Sequence, residues 1–430
     1  MSWTDPLTRV PGGDAIATAL GAALQAVDPR EAVRRALTAD GGPSPIRPGG
    51  RLQVIAIGKA AVAMTRGAFD VLGDRISDAL VVTKQAPHED IDARVLLGAH
   101  PIPGPDSLAA AQAVVACAQS LGARDAALVL LSGGASSLVA VPDAAITLRE
   151  LGAVTEGLLR AGACIDELNV VRRRLDVLKG GGLAAALASV RTRALVLSDV
   201  IDDDLATIGS GPLVASPDGR HDAMRVLQRH KVEIPQHVWA HLAAPMAPRI
   251  VPSVPHTIVA NNADAVRACA RSLRDAGYAP HLAEPFVGDA DEVGRVWVQR
   301  LRGYSRDSTA EVAGGETTVD VTGTGHGGRN LHLALSAAIA LDAGPAWTLA
   351  TFATDGEDGP TDAAGAVVTA STVARAAAAG IDARRALREC NAYALFEAIG
   401  DLLRPGPTGT NVCDLAIAVH PGAVAVYPSA

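Results

Sequence analysis

Only four of the 38 basic residues are lysine: Lys59, Lys84, Lys179 and Lys231. Lys59 and Lys179 each stand beside glycine, where a strand or helix meets a turn. A chain that otherwise uses arginine keeps a compact, strongly hydrated ammonium at those places. Such a point charge suits a phosphoryl oxygen, and the planar guanidinium does not replace it. Phosphate chemistry is the first expectation, with a solvated surface lysine as the plain alternative.

The turns around these lysines point the same way. Ser132-Gly133-Gly134-Ala135-Ser136-Ser137 follows the apolar run Ala126–Leu131, and successive exposed N–H groups with hydroxyls make an anion nest. Asn169 to Gly182 reads as a basic helix ending in glycines. It places Arg172, Asp176 and Lys179 on one face; a salt-bridged solvent face is the plain account. Asp199, Asp202, Asp203 and Asp204 precede Gly209-Ser210-Gly211-Pro212. Carboxylates beside an anion pocket would repel its ligand, so Asp199 and Asp203 are candidate Mg²⁺ ligands. The alternative is a capped acidic loop.

The second half carries Gly314-Gly315-Glu316-Thr317, then Gly323-Thr324-Gly325-His326-Gly327-Gly328-Arg329-Asn330 ahead of an Ala/Leu-rich helix. Residues 323–328 fit G-x-G-x-x-G between strand and helix, the dinucleotide fingerprint. The first acid of the following strand, Asp355, comes about seven residues later than that motif prefers. Arg329 opens its helix in a position suited to pairing with a carboxylate or phosphoryl group. Thr354 to Asp362 sets four acids in one turn, able to hold a metal, act as a base or form ordinary Asx turns. His237 and His241 are four apart but lack H-E-x-x-H, and no G-x-S-x-G elbow is present.

The elements that must hold these turns read as α/β. The 430 residues allow about two to three domains. A net charge of −8 with 3% aromatics excludes a basic, stacking nucleic-acid surface. No apolar run reaches the length of a membrane span, and the start lacks the plan of a signal peptide. Five cysteines without C-x-x-C suggest reduced, buried thiols and a cytoplasmic protein. Residues 13–40 read as one helix, with Asp14 as N-cap and Gly41-Gly42-Pro43 as its stop. Runs Leu52–Ile57, Ala79–Val82, Val95–Ala99, Ala126–Leu131 and Ala194–Leu197 alternate with helical stretches, which argues a mainly parallel sheet. The proline-rich stretch from Ala244 to Pro255 reads as a linker, dividing residues 1–250 from 251–430. Beyond it, Thr257–Ala260 opens a second set of strands. Closely spaced strands across Gly314-Gly315 suggest a hairpin in a mixed sheet, and residues 363–379 read as alanine-rich helix.

Taken in order, these segments resemble the class II glycerate 2-kinases, whose C-terminal half is the MOFRL domain. The resemblance is carried by Gly58-Lys59-Ala60-Ala61, His100-Pro101-Ile102-Pro103, Ser132-Gly133-Gly134, Asn169 with Lys179-Gly180-Gly181, and Ser198-Asp199-Val200 with Gly209-Ser210-Gly211-Pro212. It continues through Gly314-Gly315-Glu316-Thr317, Gly327-Gly328-Arg329-Asn330, Asp355 to Gly365, and Gly406 to Val412. The resemblance implies a Rossmann-like N-terminal domain and a smaller mixed-sheet C-terminal domain with an active site in the cleft between them. It also implies transfer of the ATP γ-phosphoryl group to the 2-hydroxyl of D-glycerate with Mg²⁺ or another divalent cation.

The family's proposed catalytic lysine and arginine fall on Lys59 and Arg329. Ser132, Gly133, Gly134, Ser136, Lys179, Gly211, Glu316, Asn330, Asp355 and Asp362 are then candidates for binding nucleotide or substrate. The expected partners are these small molecules, with no nucleic acid or membrane, in a monomer or homodimer. The chain departs from the family at Leu331-His332, where Gln-Glu is usual, at Asp176, where Ser is usual, and at Gly182, which extends the Gly-Gly pair. Two other functions stay open at this point: an NAD(P)H-dependent hydroxypyruvate reductase, from residues 323–328, and a catalytically silent sugar-acid-binding regulator.

Overall fold

A computed structural model describes residues 2–39, 46–219, 221–245, 249–304 and 309–421. The expected helix stop Gly41-Gly42-Pro43 and the linker residues Met246-Ala247-Pro248 lie outside the described residues. The chain forms two compact units, one of Pro29–Ala260 and one that joins Met1–Asp28 to Asn261–Ala430.

The Pro29–Ala260 unit is built on strands β1 (Leu52–Ile57), β2 (Asp78–Thr83), β3 (Arg94–Leu97), β4 (Ala126–Leu131), β5 (Arg191–Leu197) and β6 (His256–Ala260). Their order is β3-β2-β1-β4-β5-β6, and every pairing is parallel. β1 and β4 are buried at all positions. With both sheet faces covered, their sequences are continuously apolar rather than alternating. The strand order reverses between β1 and β4, so the crevice beyond their carboxyl ends is the switch point where such sheets bind ligands. Lys59 follows β1, and the Ser132–Ser137 turn follows β4.

The second unit has β7 (Pro280–Leu282), β8 (Phe286–Asp289), β9 (Ala310–Thr318), β10 (Thr348–Ala353), β11 (Gly365–Thr369), β12 (Leu402–Leu403) and β13 (Asp414–Val419). The order is β12-β11-β10-β13-β9-β7, and β8 pairs the far half of β9. β7 and β8 run parallel to β9, while the other pairings are antiparallel. A core around Trp297, Leu333, Leu335, Leu349 and Phe396 packs this mixed sheet against its helices.

Several elements differ from the expectation for physical reasons. Residues 13–40 form two helices, Gly13–Ala26 and Pro29–Ala39. Proline at position 29 starts the second helix rather than continuing the first. The N-cap of the first is left-handed Gly12, φ 75°, not Asp14. That first helix packs on Asn262–Asp275. β6 pairs in parallel with β5, so residues 257–260 complete the first sheet instead of opening the second. β9 runs unbroken through Gly314-Gly315 where a hairpin was expected. Residues 365–369 are strand within the stretch read as helix. All five cysteines are free thiols, but of the expected buried set Cys269 and Cys413 are buried, Cys117 and Cys390 are half-buried, and Cys164 is exposed at a helix start.

Candidate active site

In the Pro29–Ala260 unit, main-chain bonds stitch the turns after β1 and β4 together. Lys59 N–H donates to the Gly133 carbonyl (2.9 Å) and Ser132 N–H to the Ile57 carbonyl (3.0 Å). Ala60 N–H donates to Ser132 Oγ (3.1 Å). Gly58 has φ 137°, and a Cβ there would lie 2.1 Å from Ser132 Oγ. The turns meet this closely only because residue 58 has no side chain. The Ser132 hydroxyl, 1% exposed, is a structural tie.

Three polar side chains gather on the glycine pair. A Cβ on Gly134 would stand 3.2 Å from the His100 ring and 3.3 Å from Lys59 Cγ, and one on Gly133 would stand 2.1 Å from Asp199 Oδ2. Lys59, His100 and Asp199 therefore surround Gly133-Gly134. Ser136 Oγ is 2.7 Å from Ser210 Oγ, and Ser210 Oγ donates to Asn169 Oδ1 (2.6 Å). Asn169 in turn donates to the Thr207 carbonyl (3.0 Å), fixing Ser136 to the 207–211 loop. Gly211 is left-handed (φ 63°), and its carbonyl accepts from Gly181 N–H (2.7 Å). It shapes that loop through its backbone.

Lys179 departs from the expected binding role. The basic helix ends at Leu175, so Asp176 and Lys179 lie beyond it. Lys179 Nζ donates to Asp176 Oδ2 (2.7 Å) and the Val139 carbonyl (3.0 Å), with side-chain exposures of 4% for the lysine and 0% for the aspartate. Asp176 also accepts from Val141 and Leu178 N–H. Burial lowers the Lys179 pKa, opposed by Asp176. This ammonium is a buried structural ion-pair partner. Arg172 is buried as well, its pKa lowered to about 10 by burial against the opposing pull of Asp176. The expected solvated face is an interior one.

In the second unit, Arg329 opens the helix Arg329–Leu341. Its Nε and Nη2 donate to Asp414 Oδ2 (2.6 Å) and Oδ1 (3.1 Å), and Nη1 donates to Glu316 Oε1 (2.5 Å). These bonds use three of the five guanidinium N–H groups. Asp414 is the first residue of β13, in register with Gly315 on β9 and Ala353 on β10, so the centre of the sheet fixes its carboxylate. Burial raises the Asp414 pKa, and Arg329 opposes that shift. Glu316, by contrast, has a side chain 44% exposed.

Asp358, reached from the turn after β10, caps the same helix. Its carboxylate accepts from Asn330 N–H (3.0 Å) and Leu331 N–H (2.8 Å). A Cβ on Gly328 would lie 2.4 Å from that carboxyl carbon, which accounts for the glycine before Arg329. Burial raises the Asp358 pKa to about 7 despite the two backbone bonds. Asn330 is fully buried, and its side chain helps hold the Asp414 carboxylate in its charged form. Gly314 and Gly315 are small for a similar reason: added Cβ atoms would lie 1.6 Å from Asn262 Oδ1 and 2.0 Å from the Phe286 carbonyl. Asn262 then donates to the Val412 (2.8 Å) and Asp414 (3.0 Å) carbonyls.

Residues 15–243 match a domain of unknown function, DUF4147, and residues 309–414 match the MOFRL family. The D-glycerate 2-kinase of Thermotoga maritima is 35% identical over 85% of this chain and 90% of its own. The glycerate 2-kinase of Pyrococcus horikoshii is 34% identical over 93% and 95%. An Agrobacterium vitis protein provisionally named a hydroxypyruvate reductase is 37% identical over 96% and 95%. The crystal structure of a Thermotoga maritima glycerate kinase superposes with a TM-score of 0.82 at 33% identity, over 95% of this chain and 99% of that one. The chain belongs to the glycerate kinase family. It is an enzyme of that type.

In this glycerate kinase family member, residues 323–328 do not form a tight strand-to-helix turn. β9 ends at Thr318, ten residues before the helix. The loop packs on 389–393, where Gly325 N–H donates to the Glu389 carbonyl (2.9 Å) and His326 N–H to Asn391 Oδ1 (3.0 Å). Cβ atoms on Gly323 and Gly325 would lie 2.3 and 2.4 Å from that Glu389 carbonyl, so their small size serves this packing.

Asp355 is half-buried, and its carbonyl accepts from Thr408 N–H (3.2 Å) in the Gly406–Val412 loop. Asp362 faces outward in a surface network with Tyr393 (2.8 Å) and Arg404 (3.1 Å), away from the expected binding role. The sequence reading gave no role to His100 or Asp414, and it took Asp358 as one of four acids in a turn, able to hold a metal or act as a base, rather than as a helix cap. An acid opening an otherwise apolar strand was the available signal for Asp414.

Among the described residues, no group of three or more His, Cys, Asp or Glu side chains could hold a metal ion. Mg²⁺ is commonly held by one or two carboxylates plus substrate phosphates and water. The Asp199 carboxylate against Gly133 fits that mode. Asp203 lies in the following turn, at φ 56°, its N–H donating to the Val200 carbonyl (3.1 Å).

Proposed function

We propose that this enzyme transfers the γ-phosphoryl group of ATP to the 2-hydroxyl of D-glycerate, giving 2-phosphoglycerate and ADP. The observation that carries the reading is the fixed Arg329 guanidinium, which retains N–H groups for a ligand after its carboxylate bonds are counted. The names and coverage of the relatives support the same substrate.

Phosphoryl transfer asks a protein for alignment and charge neutralisation. The glycerate 2-oxygen forms a bond to the γ-phosphorus as the bond to the β–γ bridging oxygen breaks. The hydroxyl proton leaves to a carboxylate, a role that Asp355 fills. Lys59 and Arg329 each stabilise charge in this one transfer, and Gly133-Gly134 with Ser136 bind anionic oxygens. Asp199 would hold the divalent cation, which supplies charge neutralisation on the ATP phosphates.

The test is ADP release with D-glycerate and Mg²⁺, with phosphorus NMR to separate 2- from 3-phosphoglycerate. The expected product is the 2-phosphate. Nicotinamide oxidation with hydroxypyruvate in the absence of ATP turnover would replace this reading with the reductase.

A further inference from the structure

Three consecutive arginines, Arg172, Arg173 and Arg174, lie on the helix Ile165–Leu175, and each is only 8% exposed. Two of them are hydrogen-bonded. Arg173 donates to both oxygens of the buried Asp218 and to the Ala206 carbonyl (2.7 Å). Arg174 donates to the Leu242 (2.9 Å) and Ala244 (3.3 Å) carbonyls. Arg172 is the exception: among the described residues it makes no hydrogen bond and no ion pair, and feels Asp176 only through its charge. The Asp176 carboxylate is taken by Lys179 Nζ and by the Val141 and Leu178 N–H groups.

A buried charge without a partner is costly to a fold. A ligand that supplies the partner removes that cost. None of the three Arg172 nitrogens is sealed from solvent, so its donors stay within reach of a small molecule. Asn169 sits one turn earlier on the same helix surface. It accepts from Ser210 Oγ (2.6 Å), which contacts Ser136 Oγ (2.7 Å). That chain sets Arg172 beside the turn that carries Gly133-Gly134.

The surrounding charge selects the ligand. Arg172 and Lys179 are cations and Asp176 an anion, and the three act on one another. They leave a single positive charge, which a monoanion cancels and a phosphate of higher charge overbalances. An unused planar fork matches a carboxylate through two parallel N–H···O bonds.

We propose that Arg172 selects the substrate by holding the carboxylate of a small hydroxy acid in a two-pronged salt bridge. The proposal rests on the kinase reading above and deepens it: the acid is glycerate, gripped at its carboxylate while its 2-hydroxyl reacts.

Calorimetry on the intact chain tests this with D-glycerate, its neutral amide and MgATP as separate probes. The wild type is expected to bind the amide at least about tenfold more weakly than the acid. Arg172→Met should weaken D-glycerate about 10²-fold, bind acid and amide alike, and hold MgATP within about threefold. Because the fold gives this guanidinium no partner, Arg172→Met should unfold at the wild-type temperature or above it. Arg172→Lys keeps the charge without the fork, and should still bind D-glycerate at least about tenfold more weakly than wild type; it carries the measurement if Arg172→Met does not fold.

Unchanged D-glycerate affinity in a folded variant overturns the proposal. So does a loss confined to MgATP, which would give the guanidinium to a phosphate, or a wild type that binds neither D-glycerate nor hydroxypyruvate. Turnover is read apart from these titrations. Binding of D-glycerate through Arg172 without ADP release would refute the kinase and keep the carboxylate contact. ADP release with unaltered acid-over-amide preference in Arg172→Met would do the reverse.

Discussion

The two clusters of candidate functional residues handle charge by opposite means. Around Gly133-Gly134, the main chain of two joined turns sets the geometry, and the half-buried Lys59 starts from one of them. Around Arg329, fixed side chains set it: Asp414 and Glu316 bind the guanidinium, while Asp358 caps its helix. A backbone-built site tolerates loss of a side chain with its fold intact. A charge-built site couples function to stability, because each buried ion relies on its partner.

The largest expected effect tests that contrast directly. Lys59→Ala and Arg329→Ala should each lower kcat about 10²- to 10⁵-fold. Thermal unfolding should separate them, because only Arg329→Ala strands the buried Asp414 carboxylate. The expected cost is about 3 kcal/mol, at the low end for a broken buried pair because Arg329 is partly exposed. Equal stability of the two variants would break the comparison. Arg329→Lys should recover little activity, since an ammonium cannot make the two-pronged contact.

Lys179→Met should destabilise the Pro29–Ala260 unit by about 3–5 kcal/mol by leaving Asp176 buried and unpaired. Substrate KM in the folded fraction should stay within about threefold, as expected away from a binding contact. A large KM change at unaltered stability would return Lys179 to the binding role it first suggested.

Asp358 gives the Arg329 cluster a pH signature. Its native pKa of about 7 lies above the ordinary carboxylate value, so the folded state holds this proton more tightly. The resulting stabilisation is full below about pH 4 and is lost as pH rises to about 7, with a slope of about 1.4 kcal/mol for each pH step of one. Asp358→Asn should flatten the pH dependence of unfolding across that window. Persistence of the slope would assign it to other groups. The smallest effect is expected for Glu316→Gln, within about 1 kcal/mol, because this partner of Arg329 is exposed.

Much of the parallel sheet was legible because strands covered on both faces must be apolar throughout, as in Leu52–Ile57 and Ala126–Leu131. The placement of Lys59, Gly133 and Arg329 at strand and helix ends was legible because apolar runs stop beside them. Lys179 misled because scarcity and a glycine neighbour are equally compatible with a buried ion pair. Asp414 was missed because its role arises from strand register, and Asp358 was read as a metal or base candidate because a cap supplied by a distant turn leaves no local sign. The glycines at 323 and 325 imitated a nucleotide fingerprint, whereas close backbone approach to Glu389 accounts for their size. Helix 13–26 shows the limit most plainly: its own pattern predicts a helix, but nothing local names residues 262–275 as its partner.

That pairing has a consequence during synthesis. Ile16, Ala19, Leu20 and Ala23 leave the ribosome long before the segment that buries them. At about 5–20 residues per second, this apolar stripe waits roughly 10–50 s for its cover. The Pro29–Ala260 portion can be made and collapse in that interval, so a helix translated among the first is among the last to dock. A nascent chain arrested before residue 262 should expose that stripe to holdase chaperones, and one released beyond residue 275 should conceal it.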